Sequence, residues 1–182
     1  VTTTWFTSDT HFGHTNILKY CGRPFETVEA MDEALITGWN ERVKPGDLVY
    51  HLGDFALVRP DQVQGYVKRL HGQIQLIHGN HDRFLKDKKR DFGFSWIGPY
   101  KEIKIDGQAI VLCHYPFVTW RSSYRGSWAL HGHTHQRDPI SDPTVKRMNV
   151  GVDAWAFRPV SFEEVVKEMS KVKWVPKDHH DL

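Results

Sequence analysis

Asp9 and His11, Asp54, Asn80 with His81 and Asp82, His114, and His133 with His135 are side chains that bind divalent metal ions or move protons. Each group stands at or near the end of an apolar run that reads as a strand, where loops commonly carry chemistry. Carboxylate, imidazole and amide oxygen together make a mixed N/O donor set, which suits Zn, Mn, Fe, Ni or Co rather than Ca. Residues two apart in extended backbone point to one face, so the D-x-H and H-x-H spacings let both side chains reach one ion cluster. Glycine beside Asp54, Asn80 and His133 lets the chain turn sharply where a larger residue would crowd the ions.

Singly, each piece has an ordinary explanation. Gly53-Asp54 reads as a turn, Asp9-Thr10-His11 as a strand end or helix start, and His114 as a buried, hydrogen-bonded histidine. Five loops carrying metal donors in one order are what set the pattern apart. In that order the blocks resemble the calcineurin-like metallophosphoesterase superfamily, in its small prokaryotic or phage-type members. That family's pattern is D-x-H, G-D, G-N-H-(D/E), H and G-H-x-H, and all five blocks are intact between Asp9 and His135.

The resemblance implies an α/β fold of two mixed β-sheets packed as a sandwich and flanked by helices. It implies two divalent ions per chain, with Mn favoured and Fe, Zn, Ni or Co as alternatives. Asp9, His11, Asp54 and His135 would hold one, and Asp54, Asn80, His114 and His133 the other. His81 would face the scissile phosphate without binding metal, and Asp82 would orient it. The segment Asn149 to Asp153 also resembles the stretch after the metal blocks in such proteins, with no function attached.

Phosphate esters repel hydroxide, so a catalyst needs local positive charge and a nucleophile at neutral pH. Two metals supply both, by in-line attack of a bridging hydroxide. His81 is the expected general acid for the leaving oxygen. A phosphodiesterase is the leading expectation; a phosphomonoesterase or protein phosphatase with the same centre is the alternative, and a non-catalytic scaffold the least favoured. The expected substrate is a small phosphodiester or nucleotide-like molecule. His14 and Arg23 could touch it, although an exposed loop histidine and a surface arginine are equally ordinary. Between Tyr115 and Trp128, aromatics alternate with Arg121 and Arg125, a pattern that could stack a base and pair a phosphate or could simply pack a core.

These loops require a framework. Trp5 to Thr7, Leu48 to Leu52 and Gln73 to His78 read as strands. Apolar spacing predicts helices from Thr27 to about Val43 and from Pro60 to Leu70, with a further helical stretch at Lys86 to Arg90. Asp106-Gly107 marks a hairpin between Tyr100–Ile105 and Gln108–Cys113. Trp128 to Leu130 and Val145 to Val152 read as strands, Ser161 with Glu164 as a capping box for a helix ending near Met169, and Lys171 to Val175 as an edge strand.

The 182 residues, 40% apolar and 25% charged, predict one domain spanning 1–182. A net charge of +2 without strong basic clustering argues against duplex nucleic-acid binding. No apolar run is long enough to span a membrane, and Val1 to Thr10 lacks the features of a signal peptide. Cys21 and Cys113 form no paired framework, which fits a reducing, cytoplasmic setting.

Overall fold

The computed structural model describes residues 2–176. Its first sheet is built from β1 (Thr4–Thr7), β2 (Leu48–His51), β3 (Gln73–Ile77), β4 (Trp96–Gly98) and the short β9 (Val160–Ser161), in the order β4-β3-β2-β1-β9. All pairs are parallel except β1 with β9. The second sheet runs β5 (Tyr100–Ile105), β6 (Gln108–Cys113), β7 (Trp128–His131) and β8 (Arg147–Asn149), with an antiparallel β5–β6 hairpin and parallel pairs after it. Four α-helices lie among the described residues: α1 (Ile17–Tyr20), α2 (Val28–Asn40), α3 (Pro60–Val67) and α4 (Phe162–Met169).

Strand alternation sorts side chains into two cores. Trp5, Val49, Ile74 and Leu76 join Met31, Leu35 and Trp39 of α2 and Val63 and Val67 of α3, so these helices cover one face of the first sheet. Phe6, Tyr50 and Ile77 point the other way, to Ile110, Leu112, Leu130 and Met148 between the sheets. The expected two-sheet α/β architecture is therefore what forms. No helix among the described residues is long and apolar enough to cross a membrane.

Local signals hold where they are chemically specific. The Thr27 hydroxyl accepts the Ala30 N–H at the start of α2, and Ser161 and Glu164 exchange the two bonds of the capping box at 2.8 and 3.2 Å. Other expectations are corrected. Of the stretch Lys86 to Arg90 only Lys86 is helical, as the last residue of a 3-10 turn at Arg83–Lys86. Pairing confines the strand expected over Val145 to Val152 to β8. Lys171 to Val175 is no strand, although Lys173 and Val175 donate N–H bonds to the Pro143 and Thr144 carbonyls. The short β4 carried too few residues to show a period.

One carboxylate fastens the start of the first sheet. Asp47, just before β2, accepts hydrogen bonds from the Thr3 N–H, the Trp5 indole N–H and the Lys44 N–H, each 2.9 Å long. Burial opposes its charge, but these donors together hold its pKa below the usual aspartate value. A depressed folded pKa contributes stability that is present above the unfolded value of about 3.9 and is lost as pH falls through the folded one. Asp47→Asn should therefore lower unfolding free energy by about 2 kcal/mol at pH 7. In urea titrations the gap from wild type should narrow below about pH 4; a gap independent of pH would contradict this.

Candidate metal centre

The strand ends β1, β2, β3, β6 and β7 deliver the five expected loops to one place. Asp9, His11 and His135 present ligand atoms within 4.8 Å of one another, and Asp54, His114 and His133 form a second such group. Asp54 stands between the two: its Oδ2 lies 3.5 Å from His11 Nε2 and 3.5 Å from His114 Nε2. The Asn80 Oδ1 joins the second group, 3.0 Å from His114 Nε2 and 3.1 Å from His133 Nδ1.

The backbone solves the spacing differently from an extended segment. Asp9 has φ +59°, His11 +51°, Asp54 +54°, His133 +70° and His135 +50°, all left-handed. Such conformations cost non-glycine residues energy and gather at functional sites. The D-x-H and H-x-H pairs thus converge through left-handed turns, not through strand alternation. Two glycines permit the close approach. A Cβ on Gly79 would meet Asp54 Oδ1 at 2.3 Å, and one on Gly132 would meet Ser8 Oγ at 2.0 Å.

Several rings are oriented by what they touch on the far side. The Leu52 carbonyl can only accept, so His114 Nδ1 carries its proton (2.8 Å) and Nε2 faces the oxygens of Asn80 and Asp54. Likewise His135 Nδ1 donates to Asp153 at 2.8 Å. The Arg23 guanidinium grips Asp153 with two bonds of 2.9 Å and also holds the Asp9 and Thr10 carbonyls at 2.6 and 3.1 Å. His51, missed as a site residue, accepts the Gly53 N–H on Nδ1, so its Nε2–H donates to Thr10 Oγ1, which donates to the Phe55 carbonyl. Burial lowers the His51 pKa to about 3, leaving it neutral and able to relay these bonds.

The donor set fits divalent cations. His11 Nε2 is buried without a hydrogen-bond partner while facing a carboxylate oxygen. Burial raises the Asp9 pKa. It would raise that of Asp54 too, but the His114 hydrogen bond and charge, with the His81 N–H, pull it down. Two interior carboxylates among imidazole nitrogens call for positive charge between them.

Other expected site residues are placed elsewhere. His14 is 8% exposed; its Nδ1 contacts His11 Nδ1 at 3.2 Å and its ring lies 5.9 Å from that of His81, so it packs against the centre. Arg23 is 5% exposed behind the loops, its guanidinium taken up by Asp153 and by the Asp9 and Thr10 carbonyls. The Asp82 carboxylate accepts the backbone N–H groups of Asp54, Phe55 and Gly79 at 2.7 to 2.9 Å and ties two loops together, so its hold on His81 runs through the backbone. Arg121 pairs with Glu102, and Arg125 lies over the Tyr124 ring. Their turn ends where Gln108 bonds the Gly126 carbonyl, at the β6 end remote from His114. Trp120 bonds Ser127 and Trp128 is buried, so packing accounts for this segment. His81 does lie beside the centre, its ring 5.3 Å from that of His11 and its N–H on Asp54 Oδ1 at 2.8 Å.

Fold and site define a class, and comparison with known proteins agrees. Residues 4–166 match the model of the calcineurin-like phosphoesterase superfamily domain, and the chain belongs to that family of metal-dependent phosphoester hydrolases. It is 36% identical to a Methanocaldococcus jannaschii protein, with 92% of each chain covered. It is 30% identical to the gene 66 protein of Mycobacterium phage L5, over 89% of this chain and 91% of that one. A solved structure from Aquifex aeolicus superimposes with a TM-score of 0.75 at 29% identity, covering 92% of this chain and all of that one.

The position of Asp153 yields a testable consequence. Asp153→Asn keeps shape but weakens the hold on His135, and such partners of metal-binding histidines typically govern affinity by about 10- to 100-fold. Chelator competition should show Mn²⁺ bound at least ~10-fold more weakly. Unchanged affinity would mean that the contact only packs.

Proposed function

We propose that the protein is a binuclear metal-dependent phosphodiesterase. Asp9, His11, Asp54 and His135 would hold one divalent ion, and Asp54, Asn80, His114 and His133 the other, with manganese favoured. The observation that carries this is the Asp54 Oδ2, equidistant at 3.5 Å from imidazole nitrogens of both groups. When bound, two such ions polarise phosphoryl oxygens and lower the pKa of water.

The chain's own residues do the rest. Arg23, Asp153 and the Leu52 carbonyl fix His135 and His114, so their ring nitrogens stay aimed inward. Asp82 holds the Asp54 and Gly79 backbones together, which sets the height of His81 against Asp54. His81 stands outside both ligand groups, and its ring would hand a proton to the departing alkoxide oxygen. Asn80 and His133 are exposed and the half-exposed Tyr115 ring lies 4.8 Å from that of His133, so the centre opens to solvent on this side, which suits a substrate with two ester arms.

The test is hydrolysis of bis-p-nitrophenyl phosphate beside p-nitrophenyl phosphate, with metal-stripped and Mn²⁺-loaded protein. Mn²⁺-dependent cleavage that favours the diester is expected. A preference for the monoester would turn the reading toward a phosphatase. Inactivity on both with every first-row ion would end it.

A further inference from the structure

A groove of about 700 Å³ opens directly beside the metal centre, sharing Gly79, Asn80 and Asp82 with it. Its far wall is the segment after His81, and its composition is unlike the rest of the molecule. Residues 83–91 hold five cations (Arg83, Lys86, Lys88, Lys89 and Arg90) against two carboxylates, a larger excess than the +2 of the entire chain. Arg83, Lys86, Lys88 and Arg90 all line the groove. Arg90 is paired with Asp87, whereas Lys86 and Lys88 are exposed and form no ion pair among the described residues. Leu85 and Ile97 give the same groove an apolar floor, with Ile97 39% exposed on the outer strand β4.

Cations on a rim and apolar surface between them suit a ligand that is both anionic and flat. We propose that this groove binds the part of the substrate beyond the scissile phosphate, and that this part is a nucleoside bearing a second phosphate. The base would lie on Leu85 and Ile97, and the second phosphate would be met by Lys86 and Lys88. Selectivity for nucleotides thus sits on the Asn80 side of the centre, in the segment 83–90, and not in Arg121 and Arg125. This assignment rests on the phosphodiesterase reading for its catalytic meaning, but binding to the groove does not depend on turnover.

The experiment uses the full chain and calorimetric binding of thymidine 3′,5′-bisphosphate and of thymidine 5′-monophosphate, with and without Mn²⁺. The bisphosphate should bind at least ~10-fold more tightly, and the ratio should shrink in about 1 M salt, where screening is within ~3 Å. The variant Lys86→Glu with Lys88→Glu should abolish the ratio while its circular dichroism and Mn²⁺ content match those of the wild type. If the double variant keeps the ratio, or wild type shows none, the groove assignment is overturned while the activity stands. If wild type cleaves no diester, the phosphodiesterase reading falls and the binding ratio still decides the groove.

Discussion

Asp54→Ala protein is expected to fold, to bind neither metal ion, and to lose at least ~10³-fold in turnover. The expectation follows from position: Asp54 is the group whose oxygen faces both imidazole sets, and its other oxygen holds the His81 N–H. Asp9→Ala gives the contrast: its ligand atoms belong to the His11 and His135 group, and its carboxylate also accepts the His133 N–H at 3.0 Å, so its loss should empty one position and weaken the other. Elemental analysis after desalting, with circular dichroism to verify folding, separates the outcomes. Two equivalents of metal retained by Asp54→Ala would overturn the shared-ligand assignment.

His81→Ala should show the opposite pattern, with full metal content and impaired chemistry. A positioned acid typically contributes roughly 10²- to 10⁴-fold, and the size of the loss should depend on the leaving group. An alkoxide such as a nucleoside hydroxyl must be protonated as it departs, whereas p-nitrophenolate leaves without help. The variant should therefore lose most of its activity on a dinucleoside monophosphate and far less on bis-p-nitrophenyl phosphate. Equal losses on the two would point to a role in positioning; loss of metal would make His81 a ligand.

The loops of the candidate metal centre were legible because their information is local: donor type, a neighbouring glycine and a preceding apolar run all lie within a few residues. The same holds for α2, for the Asp106-Gly107 hairpin and for the Ser161 capping box. What lay hidden depends on distant contacts. Arg23 and Asp153 are 130 residues apart, and nothing near either shows that they meet behind His135. His14 read as a loop residue because its partner, His11, sits in a left-handed turn that spacing does not show. The aromatic and arginine segment misled for a related reason: composition says what such residues can touch, while the direction of β7 decides which end they occupy. β4 becomes a strand by lying against β3.

The left-handed turns at the centre restrict which substitutions could re-tool it. Five of the seven candidate ligand positions make two demands at once, a donor atom and a backbone that L-amino acids generally avoid. Among non-glycine residues, Asp, Asn and His are the ones enriched in that conformation, and Asp and His are the donor types at the five left-handed positions. Glutamate or cysteine at Asp9 or His135 could coordinate a metal in principle, yet each would first have to accept φ near +50° to +60°. Efforts to change metal preference by exchanging ligand chemistry at those five positions would thus be checked by the main chain, whose donor alphabet there is two letters long.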